Sequence, residues 1–216
     1  MKGPSLWDVY LVTDRALSMG RSTRTVVEAA VRGGVSAVQL REKEYETRQF
    51  YEECLTIRDF LRSCHVPLII NDRIDIALAV DAEGVHVGQS DMPVRVARKL
   101  LGPGKIIGLS ITKPEEINEE ALEYADYLAI SPVFFTTTKE NIATPWGLEG
   151  LKRARSLTDL PLVAIGSIKH DNARGVISAG AQSVAVVSAI VSALDPAAAT
   201  RDLGKEVQAA KKPQRE

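Results

Sequence analysis

The chain has 216 residues, of which 45% are hydrophobic, with 27 Lys plus Arg against 28 Asp plus Glu. This length and apolar fraction suit one globular domain with its own core, and the near-neutral charge argues against non-specific binding to nucleic acid. Near the N-terminus Asp8 interrupts the first apolar stretch, so we find neither a signal peptide nor a membrane span and expect a cytoplasmic protein that does not bind membranes. The sequence leaves open whether the chain forms a homo-oligomer.

Eight short apolar runs alternate with helical patterns along the chain. They cover residues 9–13, 37–40, 67–70, 84–87, 106–109, 127–130, 162–165 and 184–187. Most of the runs are continuous, as in strands that are buried on both faces of a parallel sheet. The alternation fits a closed barrel or an open doubly wound sheet, and the count of eight favours a single (β/α)8 TIM barrel.

The helical segments between the runs carry recognisable start and stop signals. Ser22 can cap a helix that ends at Gly33, and Asp195 can cap the last helix, whose first residue is a proline. Cys54 and Cys64 lie on one predicted helix, too far apart for a disulfide, so we predict reduced thiols. We expect residues 1–207 to form one catalytic barrel domain and residues 208–216, which are polar and without apolar periodicity, to form a loose tail.

Polar residues follow several of the runs, at the edge where parallel α/β folds place their chemistry. After the second run, strand alternation puts Gln39, Arg41 and Lys43 on one side, although a solvated charge cluster is the alternative. Asn71 and Asp72 follow the third run, and a buried carboxylate there needs a partner.

The fourth and fifth runs add a carboxylate and a hydroxyl. Asp91 follows the fourth run and can serve the site, cap the helix that begins near Pro93, or do both. Ser110 ends the fifth run. His86 lies within the fourth run and faces either the core or the pocket.

The loops after the last three runs are suited to phosphate. Thr136, Thr137, Thr138 and Lys139 combine hydroxyls with a cation, although a bland threonine-rich loop is the alternative. After the seventh and eighth runs, Gly166 and the backbone at Val187 and Ser188 let peptide N–H groups approach a ligand. Tight strand–helix packing is the other explanation of Gly166.

Taken together, these residues indicate a site for two phosphorylated ligands. Carboxylates beside cations favour Mg2+ and a diphosphate, because Mg2+ commonly binds one or two carboxylates plus substrate phosphate oxygens. The small residues after the last two runs offer a cradle for a single phosphate. We therefore expect a transfer reaction between small molecules in which diphosphate leaves, and we find no Ser-His-Asp or Cys-His arrangement at the predicted strand ends.

Seven segments, in order along nearly the whole chain, resemble the thiamin phosphate synthase family. They are residues 10–15, 39–43, 69–73, 84–91, 136–139, 147–151 and 185–190. The resemblance implies a TIM barrel that joins a hydroxymethylpyrimidine diphosphate to a thiazole phosphate, with Mg2+ as cofactor. Single segments are weak signals, whereas the ordered set is specific.

The resemblance also implies a role for each matching residue. The pyrimidine diphosphate would be held by Gln39, Arg41, Lys43, Asn71, Ser110 and Lys139. Among these, Arg41, Lys43 and Lys139 would be the catalytic cations. Asp72 and Asp91 would bind Mg2+. The thiazole phosphate would be held by Thr136, Thr137, Thr138, Gly166, Val187 and Ser188.

The chain departs from the family pattern at four positions. Ser167 stands where a second glycine is usual, Ser131 replaces a common glycine, and Thr137 stands where proline is frequent. Thr112 occupies the position of a histidine that the related thiazole tautomerase uses for proton transfer, which disfavours that alternative. A non-catalytic sensor of phosphorylated ligands is a second alternative, and the pair of aspartates argues against it.

Overall fold

The computed structural model describes residues 3–136 and 144–212. Eight parallel strands close into a barrel in which each strand pairs with the next and the last pairs with the first. The strands are β1 (Val9–Val12), β2 (Ala37–Leu40), β3 (Leu68–Asn71), β4 (Gly84–Val87), β5 (Ile106–Ile111), β6 (Tyr127–Ile130), β7 (Leu162–Ile165) and β8 (Ser183–Val186). The predicted TIM barrel is confirmed.

Helices follow the strands and cover the outside of the barrel. Within the described residues they are α1 (Thr23–Arg32), α2 (Thr47–Ser63), α3 (Ile74–Ala79), α4 (Val94–Leu101), α5 (Glu119–Tyr124), α6 (Gly147–Ser156), α7 (His170–Ser178), α8 (Ser188–Val191) and α9 (Pro196–Lys211). None of them is long and apolar enough to cross a membrane. Cys54 and Cys64 are both free thiols, as predicted.

The helix ends show why the chain folds locally as it does. The Ser22 hydroxyl accepts a hydrogen bond from the Thr25 backbone N–H at the start of α1. The Asp195 carboxylate accepts from the backbone N–H groups of Ala197 and Ala198 at the start of α9. Both predicted caps are therefore present, each satisfying backbone donors that the helix itself leaves unpaired.

The last helix is longer than the sequence indicated. α9 continues through Lys211, four residues into the segment for which we expected a loose tail from position 208. The Lys211 ammonium donates to the Trp7 carbonyl at 2.9 Å and to the Asp8 carboxylate at 2.7 Å. These contacts with the start of β1 involve polar groups, so the apolar pattern of the helix could not reveal them.

The apolar core has two parts that the barrel wall separates. The larger part lies between the strands and the helices, and the smaller part fills the barrel interior. The interior contains an aromatic group formed by Trp7, Tyr10 and Tyr127, whose ring centroids lie 5.1 to 6.2 Å apart. This filling closes the barrel below the strand ends, so ligands are left with the carboxyl-terminal mouth.

Candidate active site

Two carboxylates meet where β3 and β4 end. Asp72 directly follows β3 with a φ of 60°, and its backbone N–H donates to the His86 carbonyl of β4. Burial, together with the hydrogen bond and the negative charge of Asp91, raises the pKa of Asp72 to about 6. Lys43 and Asn71 lie close enough to oppose this rise. The structure thus brings four of the predicted site residues together.

Asp91 does not cap the following helix. Its Oδ2 atom accepts a hydrogen bond of 2.7 Å from the Gly88 backbone N–H, which orients the carboxylate. α4 has Pro93 at its N-cap position and no side-chain cap. The capping interpretation of Asp91 is therefore wrong, and the carboxylate is left to face Asp72.

The cation Arg41 is held by residues that follow β1. Its guanidinium lies 3.5 Å from the Asp14 carboxylate, and its backbone N–H donates to the Thr13 hydroxyl at 3.0 Å. No role could be assigned to Thr13 or Asp14 from the sequence, because their contacts with Arg41 depend on the pairing of β1 with β2. Lys43 is exposed to solvent and is close enough to Asp72 to affect its pKa.

Gln39 and Ser110 both point into the barrel, where they are 4% and 6% exposed. The Gln39 amide donates to the Tyr10 hydroxyl at 2.8 Å, and the Ser110 hydroxyl lies 2.8 Å from Nε2 of His86. His86 therefore points into the barrel and contacts Ser110, one of the residues predicted for the pocket. Of the two alternatives that the sequence left open, core or pocket, the structure favours the pocket. The contact with Ser110 is also a serine–histidine pair, which we did not find from the sequence because the two residues are 24 positions apart.

The residues predicted for the single phosphate follow β7 and β8, and the first of them is closely packed. Gly166 has a φ of 112°, and a Cβ atom there would lie 2.7 Å from the Pro132 Cβ, so a side chain is excluded twice over. Val187 stands at the N-cap position of the short helix α8, which begins at Ser188. This is the place where TIM barrels commonly bind a phosphate group.

The remaining predicted residues follow β6 in the sequence. Thr136 is described and partly buried, whereas Thr137, Thr138 and Lys139 lie outside the described residues. No group of three or more histidine, cysteine or acidic side chains suited to a metal is found in residues 3–136 and 144–212. A metal at this mouth would therefore need oxygen atoms from a ligand or water besides those of Asp72 and Asp91.

A family model described as thiamine monophosphate synthase matches residues 9–190. The chain belongs to the thiamine monophosphate synthase family. The thiamine-phosphate synthase of Chloroflexus aurantiacus is 53% identical over 197 residues, which cover 91% of both chains. That of Moorella thermoacetica is 46% identical and covers 95% of this chain and 98% of its own.

Solved structures agree with the family assignment. A thiamine phosphate pyrophosphorylase from Pyrococcus furiosus superimposes with a TM-score of 0.88 at 39% identity, over 97% of this chain and 99% of its own. A 3-hexulose-6-phosphate synthase, at 16% identity and a TM-score of 0.67, shares the fold alone. The predicted activity class is thereby confirmed: the protein is a transferase of thiamine biosynthesis that forms thiamine phosphate.

Two departures from the family pattern acquire a structural context. Ser167 has a φ of 50°, so this position does adopt the left-handed conformation that favours glycine. Its hydroxyl donates to the Phe135 carbonyl at 2.5 Å, which joins the end of β7 to the loop that carries Thr136. Thr112, in the position of the tautomerase histidine, donates its hydroxyl to the Glu116 carboxylate.

Proposed function

We propose that the chain condenses 4-amino-2-methyl-5-hydroxymethylpyrimidine diphosphate with 4-methyl-5-hydroxyethylthiazole phosphate, with loss of pyrophosphate, through the residues predicted from the sequence. The observation that carries this assignment is the contact of Asp72 with Asp91 at the barrel mouth, beside Lys43 and Asn71. Two facing carboxylates repel a phosphate unless a cation lies between them. A simple phosphate sensor would gain nothing from such a pair.

The donor set fits Mg2+, with Asp72 and Asp91 as the protein ligands. Burial and the neighbouring Asp91 together keep the pKa of Asp72 high, and a divalent cation would relieve the repulsion between the two carboxylates. Mg2+ commonly takes one or two carboxylates and completes its shell with water and phosphate oxygens. When bound, Mg2+ would neutralise negative charge on the diphosphate oxygens.

The cations of the chain would stabilise the leaving diphosphate. Arg41 is restrained by Asp14, so little of its conformational freedom would be lost on binding. Lys43 is exposed and long enough to follow the diphosphate as its charge grows. We assign the same role to Lys139 from its place in the sequence pattern, after the threonines of the loop that follows β6.

The bond that breaks joins the pyrimidine methylene carbon to a diphosphate oxygen, and its electron pair leaves with the diphosphate. The aminopyrimidine ring is electron-rich and can support the resulting methylene cation. The lone pair of the thiazole nitrogen then forms the new carbon–nitrogen bond. This sequence requires no protein nucleophile, so the chain contributes chiefly position and charge.

The second substrate would be bound through its phosphate at the opposite side of the mouth. Gly166 adopts a φ of 112° and packs closely against Pro132, which shapes the turn after β7. Val187 and Ser188 begin a helix whose first N–H groups have no partner within the helix. Thr136, with Thr137 and Thr138 next in sequence, would add hydroxyl donors. We also propose a cytoplasmic location, which the two free thiols support.

The first experiment is a pyrophosphate-release assay with the pyrimidine diphosphate, the thiazole phosphate and Mg2+, each omitted in turn. We expect release only when all three are present, with thiamine phosphate formed in equal amount. Release without the thiazole phosphate would indicate hydrolysis of the diphosphate instead of condensation. No release from folded protein under any combination would contradict the proposal.

The metal assignment is tested by Asp72→Asn, because asparagine tolerates the positive φ and changes only the charge. We expect turnover to fall at least about 100-fold, as is typical when a group that stabilises developing charge is lost. The matched control is Asp75→Asn, on α3, where the carboxylate is exposed and paired with Arg73. Full activity in Asp72→Asn, with an unchanged dependence on Mg2+ concentration, would contradict the assignment of Asp72 as a ligand.

A further inference from the structure

Five side chains inside the barrel form one continuous chain of hydrogen bonds. Gln39 Nε2 lies 2.8 Å from the Tyr10 hydroxyl, which lies 3.0 Å from the Tyr127 hydroxyl. That hydroxyl lies 3.0 Å from Nδ1 of His86, whose Nε2 lies 2.8 Å from the Ser110 hydroxyl. All five residues are less than 9% exposed. This hydrogen-bond chain therefore connects two predicted substrate-binding residues through three residues to which no role has been assigned.

The strand between His86 and Tyr127 is shaped to permit their contact. Gly108 of β5 pairs with His86 on one side and with Tyr127 on the other. A Cβ atom at Gly108 would lie 2.0 Å from the Tyr127 ring and 2.5 Å from Nδ1 of His86. Because the glycine leaves this space, the two rings stack with centroids 5.6 Å apart and planes at 23°.

Once the Gln39 amide donates, only one order of donors leaves the buried Tyr10 hydrogen with an acceptor, because Tyr127 is the other partner of the Tyr10 hydroxyl among the described residues. The amide nitrogen cannot accept, so the Tyr10 oxygen accepts from it and the Tyr10 hydrogen goes to Tyr127. Tyr127 has then one hydrogen left, which goes to Nδ1 of His86. Burial raises the pKa of both tyrosines, so both phenols keep the hydrogens that this order needs.

This order determines which atoms donate and which accept at Gln39 and Ser110, the two ends of the hydrogen-bond chain. With Nδ1 as the acceptor, a neutral imidazole carries its hydrogen on Nε2 and donates to the Ser110 oxygen. The Ser110 hydrogen is then directed elsewhere, and no hydrogen bond to the Gln39 Oε1 atom is found within the described part of the chain. Ser110 thus offers a donor, Gln39 offers an acceptor, and His86 cannot take a proton from Ser110.

We propose that Tyr10, Tyr127 and His86 are positioning residues that fix Gln39 as an acceptor and Ser110 as a donor toward the substrate. An aminopyrimidine complements this pair, because its amino group donates and its ring nitrogens accept. That choice of ligand rests on the proposed function, whereas the order of donors does not. Ser110 would therefore differ from the activated serine of a hydrolase, whose histidine must accept the serine proton.

The decisive measurement is 15N NMR of protein labelled at histidine, without substrate. The chain has three histidines, and His65 and His170 are exposed, so His86→Gln identifies the buried resonance by its disappearance. We expect His86 to carry hydrogen on Nε2 and none on Nδ1 near neutral pH. Hydrogen on Nδ1 would reverse the order and overturn the proposal. This result does not depend on catalysis, so a failure of the proposed activity would not obscure it.

The positioning role is tested by Tyr127→Phe, which keeps the ring and removes the hydroxyl. We expect hydrogen to become distributed between the two nitrogens of His86 and the KM for the pyrimidine diphosphate to rise about tenfold, as for loss of one substrate hydrogen bond. The KM for the thiazole phosphate should not change. Tyr124→Phe on α5 is the control, and Tyr10→Phe is the second variant should Tyr127→Phe fold poorly.

Unchanged hydrogen positions on His86 and an unchanged KM in both variants would contradict the positioning role. The KM of both substrates could instead rise in parallel while the melting temperature falls. That result would show that the hydrogen bonds only stabilise the barrel, and it would also overturn the proposal.

Discussion

Ser167 has a strained backbone conformation, which lowers the stability of the folded chain. A serine with a φ of 50° is less stable than a glycine there by on the order of 1 kcal/mol. In return its hydroxyl holds the Phe135 carbonyl, and its own carbonyl accepts from the Asn172 amide at 3.1 Å. The first of these bonds lies next to Thr136, so the strained serine supports the loop that carries a residue predicted to bind phosphate.

Two substitutions separate the strain at Ser167 from the hydrogen bond. Ser167→Gly should relieve the strain and release the Phe135 carbonyl, leaving stability nearly unchanged and raising the KM for the thiazole phosphate. Ser167→Ala should keep the strain and lose the bond, so we expect a loss of about 1 kcal/mol in the free energy of unfolding. Urea denaturation and steady-state kinetics measure both effects. An unaltered KM in both variants would show that the loop does not need this bond.

At the level of elements, the junction of β1 and β2 with α1 encloses an acidic group. The Glu42 carboxylate accepts from the Thr13 hydroxyl at 3.1 Å and from the Thr23 hydroxyl at 3.5 Å. Burial is the main cause that raises the pKa of Glu42 to about 7, and the negative charge of Glu53 adds to it. The junction therefore favours a protonated Glu42.

This raised pKa predicts how stability depends on pH. Between 4.5, the ordinary value, and about 7, the folded chain holds a proton that the unfolded chain has lost, so stability falls as pH rises through this window. Glu42→Gln should be more stable than the parent above about pH 7, and the difference should vanish below about pH 4. Thermal unfolding across this range measures the effect, and exposed Glu44→Gln is the control. A difference between Glu42→Gln and the parent that does not vary with pH would refute the assignment.

The elements themselves were largely predictable from local patterns. β2, β4, β6 and β7 have the predicted limits, because each is a short and mainly apolar run between polar segments. β5 extends two residues beyond its apolar run, since Ser110 turns inward to meet His86. A polar residue with a buried partner cannot be told from a loop residue until the partner is known.

The charged residues of the candidate site could be predicted because they follow strands, whereas the two tyrosines that lie within strands could not. Asp72 and Asp91 could be assigned because they interrupt apolar patterns at strand exits. Tyr10 and Tyr127 are members of apolar runs, and their hydroxyls meet although they are 117 residues apart in sequence. Contacts of that range depend on barrel closure, which no local pattern shows.

At the scale of the whole molecule, the ring of helices closes where α9 meets α1. α9 packs against α1, α7, α8 and β1. A Cβ atom at Gly33, which ends α1, would lie 2.5 Å from the Ala197 carbonyl oxygen and 2.6 Å from the Thr200 Cβ. The first and last helices therefore approach each other more closely than any side chain at Gly33 would allow.

Gly33→Ala tests this closure, because the residue has an ordinary helical φ of −78° and only packing opposes the methyl group. We expect a loss of about 1–3 kcal/mol in the free energy of unfolding, as for other overpacked sites. Gly104→Ala is the matched control, since a Cβ atom there has nothing within 4 Å. Equal urea midpoints for the two variants would show that α1 and α9 can separate without cost.

The contact of Lys211 with Trp7 and Asp8 places the two ends of the described chain side by side, beneath the barrel and away from the strand exits. An affinity tag or a fusion partner attached at either end would consequently lie on the face opposite the mouth. The protein could be immobilised on a surface through that face with substrate access preserved. The described ends also lie near enough for a short linker to join them, so a circularly permuted protein could begin at a loop between a strand and a helix instead.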